Sequence, residues 1–363
     1  MRRSGETKNA SACTDARLHR CRLNRRHVDD GATSRGGTQC CSAQAPSPKP
    51  QAPCDIYAAA GDPCVGAHST TRALYASYNG PLYQVKRASD GKTLNIRTLR
   101  AGGYADAAAQ NAFCERTSCI ITEIFDQSPE HNNLTIEGPG ERGGPDAGAN
   151  AAALPVTVGG HHVYGVYITA GVGYRDNSAK GVPVGSSPQG EYMVVSGHHV
   201  NNKCCFDYGN AETNSRDNDN GHMDAINFST DCFFSPCSGS GPWVQADLEN
   251  GLFAGANGSD TNNKGNSSVF VTALVKSNGK TIYAIKGGNA QAGRLTTWYY
   301  GALPDRGGYV PLHQEGAIVL GTGGDNSNSS IGSFFEGAMT LGYPKLAADN
   351  AVQANIVAVH YGR

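Results

Sequence analysis

Three acidic side chains stand where they could do chemistry together. The stretch Trp243-Val244-Gln245-Ala246-Asp247-Leu248-Glu249-Asn250 alternates. A strand of period two would put Val244, Ala246 and Leu248 on one face and Gln245, Asp247 and Glu249 on the other. Carboxylates that share a face repel, so the pattern suits either a well-solvated outer surface or a cleft lined for a substrate. Asp325 follows an apolar run, 317–320, and the lead Gly321-Thr322-Gly323-Gly324. Glycines let a backbone approach a ligand closely and would hold Asp325 at a strand end, although an ordinary Gly-Asp turn reads the same way. Two carboxyls whose environments push their proton affinities apart can divide acid and base work between them.

The cysteines supply the second signal. Twelve are present, four in the head (Cys13, Cys21, Cys40, Cys41) and eight in local pairs: Cys54/Cys64, Cys114/Cys119, Cys204/Cys205 and Cys232/Cys237. Zinc sites combine C-x₂₋₄-C units or add a spaced His pair. Here the spacings are irregular, and His161-His162 and His198-His199 are adjacent doublets. Small disulfide loops in an oxidising compartment are the expectation. Adjacent Cys204 and Cys205 have Cα atoms nearer than a relaxed disulfide prefers. They are either a strained bond of the kind that persists at functional sites or two separate thiols. Sequons at Asn133, Asn227, Asn257, Asn266 and Asn328 suit a secreted eukaryotic chain.

The elements that must position these residues read as β. Gly is 47 of 363 residues, about 13% against ~7% in an average protein, and charged residues are 17% against ~25%. Strand-like runs recur at 119–125, 162–168, 192–195, 268–275, 281–285 and 317–320, punctuated by Gly, Asn, Asp and Pro. Short helices are expected at 68–77 and 106–114. The organisation is that of a two-sheet β-sandwich. No run approaches the ~18 apolar residues of a membrane span, and no coiled-coil or nucleic-acid-binding pattern is present.

The net charge of −1 hides two segments. Residues 1–50 carry 10 Lys/Arg and 4 Asp/Glu, a sum of +6; the remaining 20 and 27 give −7. The head has no aromatic residue and ends in a Pro-punctuated stretch, so residues 1–53 read as a disordered head and linker, and 54–363 as the folded domain. The head has no apolar stretch of ~7–15 residues such as a secretory signal needs.

Several strings carry a resemblance: CDIY (54–57), HSTTRALY (68–75), CCFDYGNAET (204–213), DLEN (247–250) and GGDNSN (323–328). In order, from about Cys54 to Tyr361, they resemble the catalytic domain of glycoside hydrolase family 54, the secreted fungal-type α-L-arabinofuranosidases of the B class. The resemblance implies a concanavalin-like, jelly-roll β-sandwich. It implies removal of terminal α-L-arabinofuranosyl residues from arabinan and arabinoxylan side chains, with retention. At matching positions Glu249 corresponds to the nucleophile and Asp325 to the general acid/base. Asp247, Asn250 and the Gly324 backbone correspond to sugar-binding neighbours. The family's vicinal disulfide falls on Cys204-Cys205 and lines the arabinose pocket; its other bridges fall on Cys54–Cys64 and Cys114–Cys119. The chemistry needs no metal or organic cofactor. The expected partners are arabinose-containing cell-wall saccharides, not nucleic acid or membrane, and the expected state is an extracellular monomer.

Three departures stand out. An ungapped count puts Phe234 where the family has a pocket Trp, which keeps an aromatic wall but loses the indole N–H. Cys232 and Cys237 flank that loop as an apparent extra bridge. Asp224 stands where Glu is usual in Gly221-His222-Met223-Asp224, and the chain stops at Arg363 where the family continues into an arabinose-binding β-trefoil. The competing functions are a related retaining activity (β-xylosidase or galactofuranosidase) and a sugar-binding lectin on the same sandwich.

Overall fold

The computed structural model describes residues 51–218, 221–258, 260–306 and 311–363. The head, with its four cysteines, lies outside them. Among the described residues two antiparallel sheets face one another. In the seven-stranded sheet Cys64–Ser69, Gly332–Leu341, Gln189–Val195, Val271–Ser277, Ile282–Asn289 and Thr296–Ala302 lie side by side in that order, and Val166–Ile168 pairs onto Gly332–Leu341. The ten-stranded sheet runs Leu252–Phe253, Trp243–Asp247, Asp224–Ser229, Asp207–Ala211, Ala317–Leu320, Tyr174–Asp176, Leu134–Ile136, Cys119–Ile124, Pro81–Arg87, Thr93–Arg97. A hairpin of Pro155–Val158 and His161–Tyr164 stands apart. Disulfides join Cys54 to Cys64, Cys114 to Cys119, Cys204 to Cys205 and Cys232 to Cys237. No described helix is long and apolar enough to cross a membrane.

Side-chain alternation divides the ten-stranded sheet into two faces. Tyr208, Ile226, Phe228, Val244, Ala246, Ile318 and Leu320 belong to the main core between the sheets. Across it, the Tyr208 and Phe334 rings meet at 5.3 Å. Their neighbours in sequence point the other way. Ala211, Met223, Ala225, Ala317 and Val319 form a second, small apolar cluster. Asp207, Asn227, Gln245 and Asp247 are buried on the same side. The strand Trp243–Asp247 is therefore buried on both faces, and its acidic face is not the solvated outer surface that repulsion between carboxylates would favour. Hydrogen bonds replace the missing water: Asn227 donates to Asp207 at 2.6 Å, and Ser229 to Asn227 at 2.7 Å. Asn227 is thereby withdrawn from glycosylation, being fully buried.

Two helices cover the outer face of the seven-stranded sheet, which is why all seven residues of Gln189–Val195 and of Val271–Ser277 are buried. Pro53–Ala60 starts with Pro in its first turn, Asp55 accepts the Ala52 N–H at 2.9 Å, and Gly61 ends it in the left-handed conformation. Ala52 and Pro53 are buried, so the folded body begins before the expected boundary at Cys54. Leu346–Ala358, which sequence periodicity did not mark, carries Asp349 against the sheet. There Lys276 and Lys286 each donate to Asp349 Oδ2 at 2.6 Å.

The expected helix at 106–114 is present as Ala107–Phe113, capped by the Asp106 side chain on Ala109 N–H. The expected helix at 68–77 is not formed. Residues 68 and 69 end the strand Cys64–Ser69. Ser69 Oγ then takes the N–H groups of Thr71 and Arg72, both at 3.1 Å, and closes a side-chain turn in place of a helical one. The run 162–168 splits at Gly165, where a Cβ would strike the Phe335 ring and Leu154.

Removing the Asp349 carboxylate would leave two buried ammonium groups without their anion. Asp349→Ala should destabilise the protein by ~3–5 kcal/mol, measured by urea unfolding. An unchanged midpoint would show that the helix docks without this pair.

Candidate active site

A cavity of about 310 Å³ opens on the second face of the ten-stranded sheet, lined by Cys204, Cys205, Glu212, Asp217, Met223, Asp247, Glu249, Gly323, Gly324, Asp325 and Ser327. That volume counts space open to solvent; the enclosed part is about 70 Å³, well below the ~300–1,000 Å³ of drug-sized ligand pockets. It suits one sugar ring better than a length of polymer.

Glu249 is not on the strand. Trp243–Asp247 ends two residues earlier, and Glu249 occupies a turn with φ +73°. This region disfavours residues with a Cβ and is retained where surrounding contacts enforce it. The enforcing contacts are visible. Glu249 N–H donates to Asp247 Oδ1 at 2.9 Å. Its carboxylate accepts the backbone N–H of Asn218 on Oε1, and that of His222 on Oε2 at 2.7 Å. His222 is held in turn by Glu315, at 2.7 Å from Nδ1. Partial burial pushes the Glu315 carboxyl up, but hydrogen bonds from Thr213 and His222 outweigh it and hold it below the usual range.

Asp247 supports this turn from a buried position. Burial pushes its carboxyl up to about 7, against the Glu249 N–H that it accepts. Behind it, burial and the neighbouring Asp247 charge raise Asp207 well above the carboxylate range. Burial and the nearby carboxyl thus act on both groups in the same direction, against two adjacent charges. Cys205 Sγ lies 3.6 Å from Asp247 Oδ2, so the disulfide forms a wall beside the acid.

Asp325 comes from the loop after Ala317–Leu320. Its Oδ1 accepts Ser327 N–H at 2.9 Å and Ser327 O–H at 2.6 Å, and Oδ2 faces Arg142 Nε at 3.3 Å. Asn326, at φ +64°, is buried and donates to the carbonyls of Gly138 and Gly144, both at 2.9 Å. This ties the Asp325 loop to residues 138–144. The disulfide segment joins the same loop, with Cys205 N–H donating to Ser327 carbonyl at 2.8 Å. Beneath both, buried Arg175 donates to the Gly324 carbonyl at 2.8 Å, to Glu137 at 3.0 Å and to the Glu212 carbonyl.

The cavity thus gathers Glu249, Asp325, Asp247, Cys204, Cys205 and Gly324. Asn250 and Phe234 lie outside its wall. Asn250 Oδ1 accepts Gly221 N–H at 3.1 Å. Phe234 packs on Phe253 (4.8 Å between rings) beneath Arg306, whose guanidinium sits 4.1 Å above the ring. Any Cβ at Gly251 or Gly258 would collide with Phe234, so this aromatic braces the chain just beyond Glu249. Sequence reasoning gave no role to Glu212, Asp217, Met223 or Ser327. Glu212 stood inside the CCFDYGNAET string; nothing in its spacing marks where its side chain points.

A sequence profile described as "Alpha-L-arabinofuranosidase B, catalytic" matches residues 53–362. The chain belongs to this family. It is 56% identical over 317 residues to a probable alpha-L-arabinofuranosidase B of Aspergillus fumigatus, covering 85% of this chain and 62% of the relative. It is 54% identical over 317 residues to an arabinofuranosidase/B-xylosidase of Trichoderma koningii, covering 85% and 63%. Among solved structures, a GH54 α-L-arabinofuranosidase soaked with a cyclic sulfate inhibitor superposes with TM-score 0.83 at 50% identity, covering 86% of this chain and 66% of that one. An arabinofuranosidase complexed with arabinofuranosyl-α-1,2-xylobiose gives the same values. The chain thus spans slightly less than two thirds of the length of these relatives. The sandwich seen here is the fold of that family.

Two expectations follow from the geometry. Arg175→Met would leave Glu137 buried without its cation and release two carbonyls. It should cost ~3–5 kcal/mol in chemical denaturation; a loss below 1 kcal/mol would mean that the guanidinium is dispensable. The second concerns pH. Burial raises Asp224 to about 7 and, with the charge of Glu249 adding to it, Glu212 to about 9. The folded state keeps protons that the unfolded chain releases near its ordinary carboxyl values. Stability from these groups is therefore complete below those values and is lost as pH rises towards 7 and then 9. Melting temperature should fall from pH 5 to pH 9, and a flat or rising profile would contradict it.

Proposed function

We propose that this chain is an exo-acting retaining α-L-arabinofuranosidase that removes terminal arabinofuranosyl residues from arabinan and arabinoxylan side chains. The observation that carries the reading is one small cavity with Glu249 and Asp325 both in its wall. Retention needs one carboxylate to attack the anomeric carbon and one carboxyl to protonate the departing oxygen. Glu249 suits attack, since two backbone N–H groups hold its oxygens and fix its aim. Asp325 suits proton delivery from its loop. Once the glycosyl ester has formed, Asp325 takes a proton from the incoming water, and Ser327 and Arg142 are placed to stabilise the carboxylate that precedes that step. The flat disulfide offers an apolar wall to the furanose, and Asp247 with the Gly324 backbone lies within the same wall to meet its hydroxyls.

The relatives support the substrate class: one is named an arabinofuranosidase/B-xylosidase, and a solved relative holds an arabinofuranosyl xylobiose. Four disulfides fit an oxidising, extracellular setting. The test is release of arabinose from 4-nitrophenyl α-L-arabinofuranoside, with the anomer of the first product read by NMR. Glu249→Gln should lose on the order of 10³–10⁶ in kcat. Asp325→Asn should lose ~10²–10⁴, less with a good leaving group. An inverted product, or a fully active Glu249→Gln, would sink the reading; faster turnover of the matching β-D-xyloside would redirect it to a xylosidase.

A further inference from the structure

Glu212 has no part in the chemistry described so far, yet it occupies the centre of the site. It follows the strand Asp207–Ala211, is fully buried, and lines the cavity with Glu249 and Asp325. Its backbone carbonyl is held by Arg175, so its position is not free to drift. The carboxyl lies against Gly324, where any Cβ would collide with Oε2 and with the Met223 sulfur. It also stands within hydrogen-bonding reach of the Glu249 carboxyl. Neither Glu212 oxygen makes a well-formed hydrogen bond with any described residue.

Two carboxyls in contact cannot both be ionised; one must carry a proton. Which one is decided by the donors around them. Glu249 receives a backbone N–H on each oxygen, and such donors bind a carboxylate more strongly than a neutral acid. Glu212 receives none and sits between a sulfur and a glycine. The charged groups facing it are Glu249 from the turn after Trp243–Asp247, Arg175 from Tyr174–Asp176, and the cavity carboxyls Asp217, Asp247 and Asp325. Its own backbone N–H and the arginine favour an ionised Glu212, but that N–H makes no well-formed bond to the carboxyl, and the guanidinium is spent on two carbonyls, Asn177 and Glu137. Burial, the largest influence, and the Glu249 charge both act to keep the proton on.

We propose that Glu212 is a carboxylic acid that stays neutral through the catalytic cycle, and that its O–H donates to the Glu249 carboxylate and holds it in the attacking orientation. This rests on the reading of Glu249 as nucleophile. Glu212 is a positioning residue: its proton is never transferred. Before attack the O–H bonds one Glu249 oxygen and leaves the other to reach the anomeric carbon. After attack it bonds the carbonyl oxygen of the ester.

The test compares two variants of the full chain. Glu212→Gln keeps a donor of the same length; its kcat should stay within about threefold of wild type, with the acidic limb of kcat/KM unmoved. Glu212→Met keeps the volume and removes the donor. Its kcat should fall roughly tenfold to a hundredfold at near-constant KM, and its acidic limb should move up by about one pH unit. Its melting temperature should stay near wild type, since Glu249 keeps its two backbone donors and a buried acid is replaced by an apolar side chain of similar size. Equal loss in both variants, or a Met variant that loses stability while kcat and the limb stay put, would overturn the proposal and leave a structural role. An infrared measurement stands apart from activity. At pH 7 the wild type should show a protonated-carboxyl band that is absent from Glu212→Gln, and no difference band would overturn the proposal. Were the wild type to release no arabinose, the nucleophile reading would fall and the proposed positioning role with it. The band would then still decide where the proton sits.

Discussion

One buried guanidinium holds the site together. Arg175 projects from the middle of the ten-stranded sheet and is almost wholly withdrawn from water. Its donors are committed to the carbonyls of Gly324 and Glu212 and to the Glu137 carboxylate. Removing a cation from water costs several kcal/mol unless each donor finds an acceptor, so those acceptors cannot wander independently. Gly324 begins the loop that carries Asp325. Glu212 ends the strand that begins beside the disulfide. The arginine therefore fixes the spacing between two loops that share no sheet hydrogen bonds at that point.

The sheet supplies the other constraint. Its alternation sends Tyr208, Phe228, Val244 and Leu320 into the core, and sends Asp207, Asn227, Gln245 and Asp247 to the cleft. A register slip of one residue would exchange these sets, and the apolar set cannot be spared from the core. Packing energy on one face thus sets the position of the polar groups on the other. Small residues at Ala211, Ala225 and Ala317 leave room above the sheet, and that room is where the cavity forms.

Much of this was legible in the residues. The run 317–320 is the strand Ala317–Leu320, and the pairs Cys54/Cys64, Cys114/Cys119 and Cys232/Cys237 are bonded as expected; Cys204–Cys205, which spacing left open, is bonded too. Alternation around Asp247 separated core from cleft, although it extended the strand through Glu249. The strand stops because Leu248 to Gly251 form a tight turn and Asp247 takes the Glu249 N–H. Such side-chain capture of backbone donors leaves no periodic trace. The same cause removed the helix expected at 68–77, where Ser69 captures two N–H groups. Glu212 was illegible for a different reason. Its meaning comes from a contact with a residue 37 positions later, and from the absence of donors around it, neither of which is a property of local sequence.

The carboxyls of the cleft are chemically identical groups that the fold makes different, and the instrument is the distribution of backbone N–H groups. Glu249 has a donor on each oxygen. Asp325 has Ser327 on one side and an exposed arginine on the other, so its partner on the solvent side can be displaced when a ligand arrives. Asp207 and Glu212 are buried where the only strong electrostatic neighbours include other carboxyls. Burial raises both of these. The turn at Glu249, held in an unfavourable φ, exists because that conformation points the carboxylate at the N–H groups of Asn218 and His222. The backbone cost at one residue is what brings two N–H donors onto one carboxylate of the cleft.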